Sequence, residues 1–364
     1  MPVEIRDLRL PAGEHAGGDD ELAAYAALIR RLDVESLGTA ELSRDVAELA
    51  VLFAGDPYTA HRPLGAFDDG RLVGLAELQW ELDADAETAY VTMLGVAPER
   101  RRAGIGAALL AAAERVAADA GRPTTVLSGE HLIAADPGDG HRLRAPQGDA
   151  SIAAADPAAA FASARGYALG QLDRVSVLDV DGRAAEFRGL AAAASAEASD
   201  GYRLVPWRDH APDDLVASLA RAHERMSVDA PAGAIAYEFE PWDALRVRDD
   251  ERRAIATGRS NLTVAAVAPD GEVAGYTQLS LLPGSPAVEQ WDTIVLAAHR
   301  GHRLGMRLKL ANLVALAEAD AARSRVYTWN ADENAHMLAI NVALGFRPFA
   351  LESVWQRPTR PGAS

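Results

Sequence analysis

The chain has 364 residues, more than a single hydrophobic core comfortably serves, so two domains of about 150–200 residues are expected. A formal net charge of −17 argues against a nucleic-acid footprint and favours cationic or neutral small partners. The absence of cysteine excludes disulfides, thiolate metal sites and a cysteine nucleophile.

The opening stretch MPVEIRDLRL alternates like a first strand and lacks the apolar centre of a signal peptide. The longest apolar runs, such as 107–113, are too short to cross a bilayer. A cytoplasmic protein that engages no membrane and no nucleic acid is expected, as a monomer or homodimer. Residues 3–10 read as a strand, 13–20 as a polar turn, and 21–31 and 39–53 as amphipathic helices, the second capped by Thr39. Residues 64–67 and 71–82 flank Asp68-Asp69-Gly70 as a hairpin, and 89–96 is the next strand.

Arg101-x-x-Gly104-x-Gly106 then runs into a helix over 107–120. A glycine carries no Cβ, so the backbone can close around a phosphate at the positive end of the helix dipole. The loop is neither a Walker loop nor a dinucleotide fingerprint, because it lacks Gly-Lys-Ser/Thr and the third glycine. A strand at 123–128, an excursion rich in Gly, Pro, Asp and Arg at 131–149, a helix at 157–165 closed by Gly166, and a strand at 167–180 follow. Residues 181–200 read as a connecting helix or linker.

The pattern then restarts. A strand at 202–206, a helix at 213–226, a loop carrying Glu238 and Glu240, and a helix at 242–257 precede a hairpin around Asp270-Gly271. The strand at 288–296 feeds the loop Arg300-x-x-Arg303-x-Gly305 and a helix at 304–319. A strand at 325–329, a helix at 333–343 stopped by Gly345 and a last strand at 346–357 close the chain. Aligning Val96 with Val295 brings Arg101 onto Arg300, Gly104 onto Arg303 and Gly106 onto Gly305 at one constant offset. Gly166-Tyr167 meets Gly345-Phe346 at a shorter offset, and the difference lies in the 131–149 excursion. The chain is thus two copies of one unit, 1–180 and 201–364, joined by 181–200, with an insertion in the first.

This order of elements, with its Arg-x-x-Gly-x-Gly loop and its Gly-Tyr/Phe pair, resembles the GNAT N-acetyltransferase superfamily. The tandem layout is similar to that of the mycothiol synthases. The resemblance implies an α/β fold of two GNAT-like domains, each a mixed, mostly antiparallel sheet flanked by helices, that bind acetyl-CoA. Its diphosphate would lie on the amides of Arg300, Gly301, His302, Arg303, Leu304, Gly305 and Met306, or of Arg101, Arg102, Ala103, Gly104, Ile105 and Gly106 in the first copy. The pantetheine would follow Thr293, Ile294 and Val295, or Leu94, Gly95 and Val96. Asn330 and Asn334, the latter at the family's motif asparagine, would flank it.

Acyl transfer to an amine needs a bound thioester, a donor for its oxyanion and a route for the amine proton. Asp292 supplies a strand carboxylate, on the face of Gln290 by simple alternation, which would place Gln290 beside the substrate; a buried ion pair with an arginine is its structural alternative. The equivalent of Asp292 in the first copy is Met93, while Asn334 aligns with Ala155 and Asn341 with Ala162. Chemistry is therefore expected in the C-terminal copy, the first being degenerate. Asn341 occupies the slot where the family often has a tyrosine acid, so the thiolate leaves unprotonated, or through water, or with help from another residue such as Tyr327. Glu238 and Glu240 are candidate amine anchors or a solvated loop. His299 and His302 line the phosphate loop better than they make a metal site, for which no third ligand is placed. Trp291 and Trp329 read as core. An acetyl-CoA-dependent N-acetyltransferase for a small primary amine is expected, by direct transfer because no cysteine can carry the acetyl group. An acyl-CoA-binding module without turnover, or mycothiol synthase, is the alternative.

Overall fold

The computed structural model describes residues 3–10, 20–83, 85–136, 138, 140–196, 201–229, 231, 233–235 and 237–358. The polar turn expected at 13–20 lies, up to residue 19, outside these, as do 197–200 of the expected linker. The first repeat contains β1 (Glu4–Asp7), α1 (Asp20–Leu37), α2 (Val46–Phe53), β2 (Thr59–Asp68), β3 (Arg71–Glu81), β4 (Thr88–Val96), α3 (Ile105–Asp119) and β5 (Thr124–Leu132). The short strands β6 (Arg142–Leu143) and β7 (Ile152–Ala153) pair within the inserted excursion, and α4 (Pro157–Ala164) and β8 (Ala168–Asp179) follow. Helix α5 (Ala184–Ala196) opens the second half. After it come β9 (Arg203–Arg208), α6 (Val216–Asp229), α7 (Ala244–Ala256), β10 (Ser260–Val267), β11 (Val273–Leu281), β12 (Ala287–Val295), α8 (Leu304–Ala319), β13 (Arg325–Ala331), α9 (Ala335–Leu344) and β14 (Arg347–Pro358).

Local chemistry explains these elements. The β2–β3 turn has Asp69 at φ 48° and Gly70 at φ 77°, the pair of positive values that a two-residue hairpin demands. Helix α2 starts at Val46 rather than near Thr39, because Asp45 is the residue whose side chain accepts from the Glu48 amide. Pro157 sits in the first turn of α4 behind the cap Asp156, and Gly345 ends α9 in the left-handed conformation.

The residues gather into two compact units. Unit 1 holds 1–173, 232–238 and 350–364; unit 2 holds 174–231 and 239–349. The end of each repeat's last strand thus counts with the other unit. In unit 1 the strand order is β1-β2-β3-β4-β5-β14, antiparallel except for β4 with β5. Helices α1 and α2 pack one apolar cluster with Leu75 and Met93, and α3 and α4 pack another with Leu64 and Leu78. In unit 2 the order is β8-β13-β12-β11-β10-β9, with β12 parallel to β13. Helices α6 and α7 cover one face over Ala265, Tyr276 and Ile294; α5, α8 and α9 cover the other over Leu279 and Val288. The expected linker is therefore mostly helix, and Phe187 of α5 is buried in the unit 2 core.

Candidate functional site

In both units the parallel pairing stops halfway. Strand β12 bonds β13 only from Ala287 to Gln290, and β4 bonds β5 only from Thr88 to Val91. Thr293, Ile294 and Val295, like Leu94, Gly95 and Val96, remain paired on the other side alone. Each strand thus presents an open backbone edge to an extended ligand.

Beyond the open edge the two loops share one backbone. Arg300 Nε donates to the Val295 carbonyl (3.2 Å) and Arg101 Nε to the Val96 carbonyl (3.0 Å). Next come two left-handed residues, Gly301 (φ 90°) and Arg303 (φ 56°) in unit 2, Arg102 (φ 63°) and Gly104 (φ 81°) in unit 1. The glycine and the arginine have exchanged places between copies. Arg303 thus does not prevent the close-approach conformation; it adopts it, at a cost of about 1–2 kcal/mol. Neither Arg303 nor Gly104 offers a side-chain cap, so the first amides of α8 and α3 are left for an anion. Gly305 serves packing instead, because a Cβ there would meet Ile340 at 3.1 Å. Of the two loop histidines, His299 bonds the Tyr202 hydroxyl (2.9 Å) and His302 lies against the Tyr202 ring (5.1 Å). Among the described residues no group of three His, Cys, Asp or Glu side chains is set to hold a metal.

Asp292 sits on an irregularity. Thr277 faces Thr293 while Leu279 faces Gln290, so Trp291 and Asp292 together oppose Gln278 as a β-bulge. Strict alternation would put Asp292 on the face of Gln290; the extra residue turns it to the opposite face. Gln290 is 6% exposed and donates to Thr277 Oγ1 (3.0 Å) and the Gln278 carbonyl (2.7 Å), so it braces the sheet. Trp291 stands 40% exposed on the bulge, with Nε1 bonded to Glu289, rather than in the core.

Asp292, 35% exposed, turns toward α6 and α7. Tyr276 on β11 donates its hydroxyl proton to Asp292 Oδ2 (2.6 Å), and His223 Nδ1 on α6 lies 2.9 Å from the same hydroxyl. Burial above all, then the Asp292 charge, holds Tyr276 well above the usual tyrosine range. Its single proton is therefore committed to Asp292, and the His223 Nδ1–H donates to Tyr276. Burial pushes the imidazole down, which favours its neutral form. The His223 ring also stacks on Trp242 (4.5 Å, 19°). Among the described residues, His223 and no arginine lies within ion-pair distance of Asp292. In unit 1, Leu75 (paired with Gly95) and Met93 take the places of Tyr276 (paired with Ile294) and Asp292.

Downstream, Lys309, the only lysine of the chain, is 2% exposed and donates from Nζ to Asn341 Oδ1 (2.8 Å). Burial lowers its ammonium to about 7. Asn341, equally buried, donates from Nδ2 to Asn330 Oδ1 (2.6 Å). Asn341 is thereby held through both its oxygen and its nitrogen, and Asn330 through its oxygen. Asn334 caps α9, its Oδ1 accepting from the Met337 amide (3.2 Å). Tyr327 is buried with its ring against Phe349.

The two acidic candidates part company. Glu238 belongs to unit 1, where it accepts from the Glu87 and Thr88 amides at the start of β4. It straps backbone in the unit that lacks Asp292. Glu240, in unit 2, accepts from Trp242 Nε1 (3.4 Å) and pairs with Arg246 (3.5 Å) beside the Asp292 cluster. Tyr276, His223 and Trp242 carry no signal in the sequence, because β11, α6 and the loop before α7 are brought together only by the fold.

No described helix is long and apolar enough to cross a membrane. None of the curated proteins compared with the chain matches it. Among solved structures, a tandem GNAT protein from the clavulanic acid biosynthesis pathway, without AcCoA, is 27% identical over 99% of both chains, with a TM-score of 0.71. The GCN5-related N-acetyltransferase from Sphaerobacter thermophilus shares the fold at 14% identity over 100% of this chain and 97% of that one, with a TM-score of 0.60. The sequence model of the Acetyltransferase (GNAT) family matches residues 19–131 and 227–346, more than half of the chain. The chain belongs to the GNAT acetyltransferase family, in its tandem form.

Proposed function

We propose that the chain is an acetyl-CoA-dependent N-acetyltransferase for a small primary amine, acting by direct transfer in a ternary complex with its chemistry in unit 2. Acetyl-CoA supplies the acetyl group as a thioester. The observation that carries this reading is Asp292, turned by the bulge toward α6 and α7 at the root of the open edge of β12. An ammonium has no lone pair, so the acceptor must lose a proton before it attacks. Asp292 takes that proton, and the Tyr276 hydroxyl, donating to Oδ2, holds the carboxylate in place for it.

The open amides of the Arg300–Gly305 loop would hold the diphosphate, and Asn330, its Oδ1 fixed through Asn341 by Lys309, would offer its Nδ2 to the pantetheine. The acceptor nitrogen bonds to the acetyl carbon as the C–S bond breaks; the nitrogen's second proton passes to solvent, where the departing thiolate is protonated. Unit 1, with Leu75 and Met93 in the decisive places, binds CoA without chemistry.

Thiol release across a panel of amines tests the proposal. Asp292→Asn is expected to lower kcat by about 10²–10⁴-fold with little change in acetyl-CoA affinity. An unchanged rate would remove Asp292 from the role. A second reading, acyl-CoA binding without turnover, draws on Asn341, whose amide is already occupied by Lys309 and Asn330. CoA binding with no thiol release from any amine, cysteinyl-glucosaminyl-inositol included, would select it.

A further inference from the structure

Lys309 is buried in unit 2 without a counter-ion. Its Nζ gives one hydrogen bond, to Asn341 Oδ1 (2.8 Å), and otherwise faces the Phe346 ring (5.6 Å); no described carboxylate pairs with it. Burial is the one cause that lowers its ammonium to about 7. A buried charge without a partner is costly, so this position is poor for stability alone. An ammonium has only protons to give, which fixes the direction of the bonds that follow. Asn341 accepts at Oδ1 and donates from Nδ2 to Asn330 Oδ1 (2.6 Å). The donor end of the series is therefore Asn330 Nδ2, which bonds no described residue. Donors aligned in this way polarise one another where little water screens them. Asn330 lies on β13 just past Thr328, where the ladder with β12 stops, so the free donor stands where the two strands part. Lys309 and Asn341 come from α8 and α9, which cover the sheet face opposite to α6, α7 and Asp292.

We infer that Lys309 is a positioning residue for the leaving group: through Asn341 and Asn330 its positive charge faces the sulphur of acetyl-CoA and stabilises the thiolate as the C–S bond breaks. The electron pair of that bond stays on sulphur and the ammonium keeps its proton, so the series shifts charge density and transfers no atom. A negative charge at its far end raises the ammonium in turn, so Lys309 and the sulphur ionise as a pair. Asp292 then receives the amine proton on one face of the β12–β13 opening, and Asn330 holds the sulphur on the other. This rests on the acetyltransferase reading for the identity of the ligand, while the effect on a bound thiol is measurable without turnover.

The ultraviolet thiolate band of CoA bound to the full chain, read against desulfo-CoA over a pH series, reports the ionisation of the bound thiol. In the wild type a thiol component is expected to ionise at least about one pH unit below free CoA, a tenfold larger ionisation constant. Lys309→Met, which keeps the volume and removes the charge, is expected to abolish that component, and so is Lys309→Gln, which keeps a donor. Any thiol held in unit 1 contributes alike to all three proteins. With an amine that is turned over, both variants are expected to lower kcat by about tenfold at unchanged KM for acetyl-CoA. No shifted component in the wild type, a readout that needs no variant to fold, would overturn the inference, as would a component that survives both substitutions. A shifted component without acetyl transfer to any amine would leave the Lys309 series standing and sink the acetyltransferase reading. Acetyl transfer with no shifted component would do the reverse.

Discussion

Tyr276 has one hydroxyl proton and two neighbours, His223 and Asp292, and gives it to the carboxylate, which has no proton to donate in return. The hydroxyl holds the carboxylate in one orientation, so Tyr276→Phe frees Asp292 to turn and is expected to lower kcat by about tenfold with little change in acetyl-CoA affinity. An unchanged kcat would mean that the hydroxyl does not position Asp292. The sequence made Asp292 visible because the repeat set it against Met93, a residue that accepts no proton. Tyr276 and His223 left no such mark. They lie on β11 and α6, and only packing under Trp242 brings them to one carboxylate. The bulge was equally hidden, since alternation counts residues and Trp291–Asp292 adds one that has no partner.

At the scale of elements, the ladder between β5 and β14 sets Glu130 directly opposite Glu352. Burial raises Glu130 to about 7, with Asp33 adding to it and Ser36 opposing. Burial raises Glu352 to about 8, with Asp173 and Glu130 adding and Ser128 opposing. Both start from 4.5, so between that pH and their raised values the folded unit keeps protons that the unfolded chain has shed. Their contribution to stability is complete below 4.5 and is lost as pH rises through about 7 and 8. Glu352→Gln is expected to flatten this decline. The wild type should lose more Tm than the variant between about pH 5.5 and 8.5, by about 2–4 °C for each 1 kcal/mol. Parallel melting curves for the two would refute it. Glu352 also shows why part of the fold escapes a repeat-by-repeat reading. Spacing and turn chemistry locate β14, but nothing local says that residues 350–358 finish the sheet of unit 1. Residues 233–235, 237 and 238 likewise count with unit 1, although the sequence offers Glu238 as a candidate amine anchor of the second copy. Ile235 instead packs on Val126 and Val354, and Tyr237 stacks on Tyr90 (6.5 Å), in unit 1.

At the scale of the whole molecule, duplication has kept one part of the machinery and dropped another. Both units retain the open strand edge, the arginine that ties the loop to its strand, and the pair of left-handed residues before an uncapped helix. Among the described residues, only unit 2 sets a carboxylate on the strand that leads into the loop, with a hydroxyl and an imidazole behind it. Phosphate binding depends on backbone shape, and that shape survives the exchange of glycine and arginine between the loops. Proton transfer depends on named side chains, and Leu75 with Met93 cannot perform it. Calorimetry is therefore expected to find two CoA sites per chain but turnover from one. Gly301→Val forces a β-branched residue into φ 90°, so it should remove one CoA site together with thiol release. Gly104→Val does the same at φ 81° in unit 1 and should remove the other. A single site in the wild type, abolished by Gly301→Val alone, would reduce unit 1 to a scaffold. In that case Glu35, whose carboxylate clamps Arg101 at 2.6 Å beside the first loop, would be the group that turns the second diphosphate away.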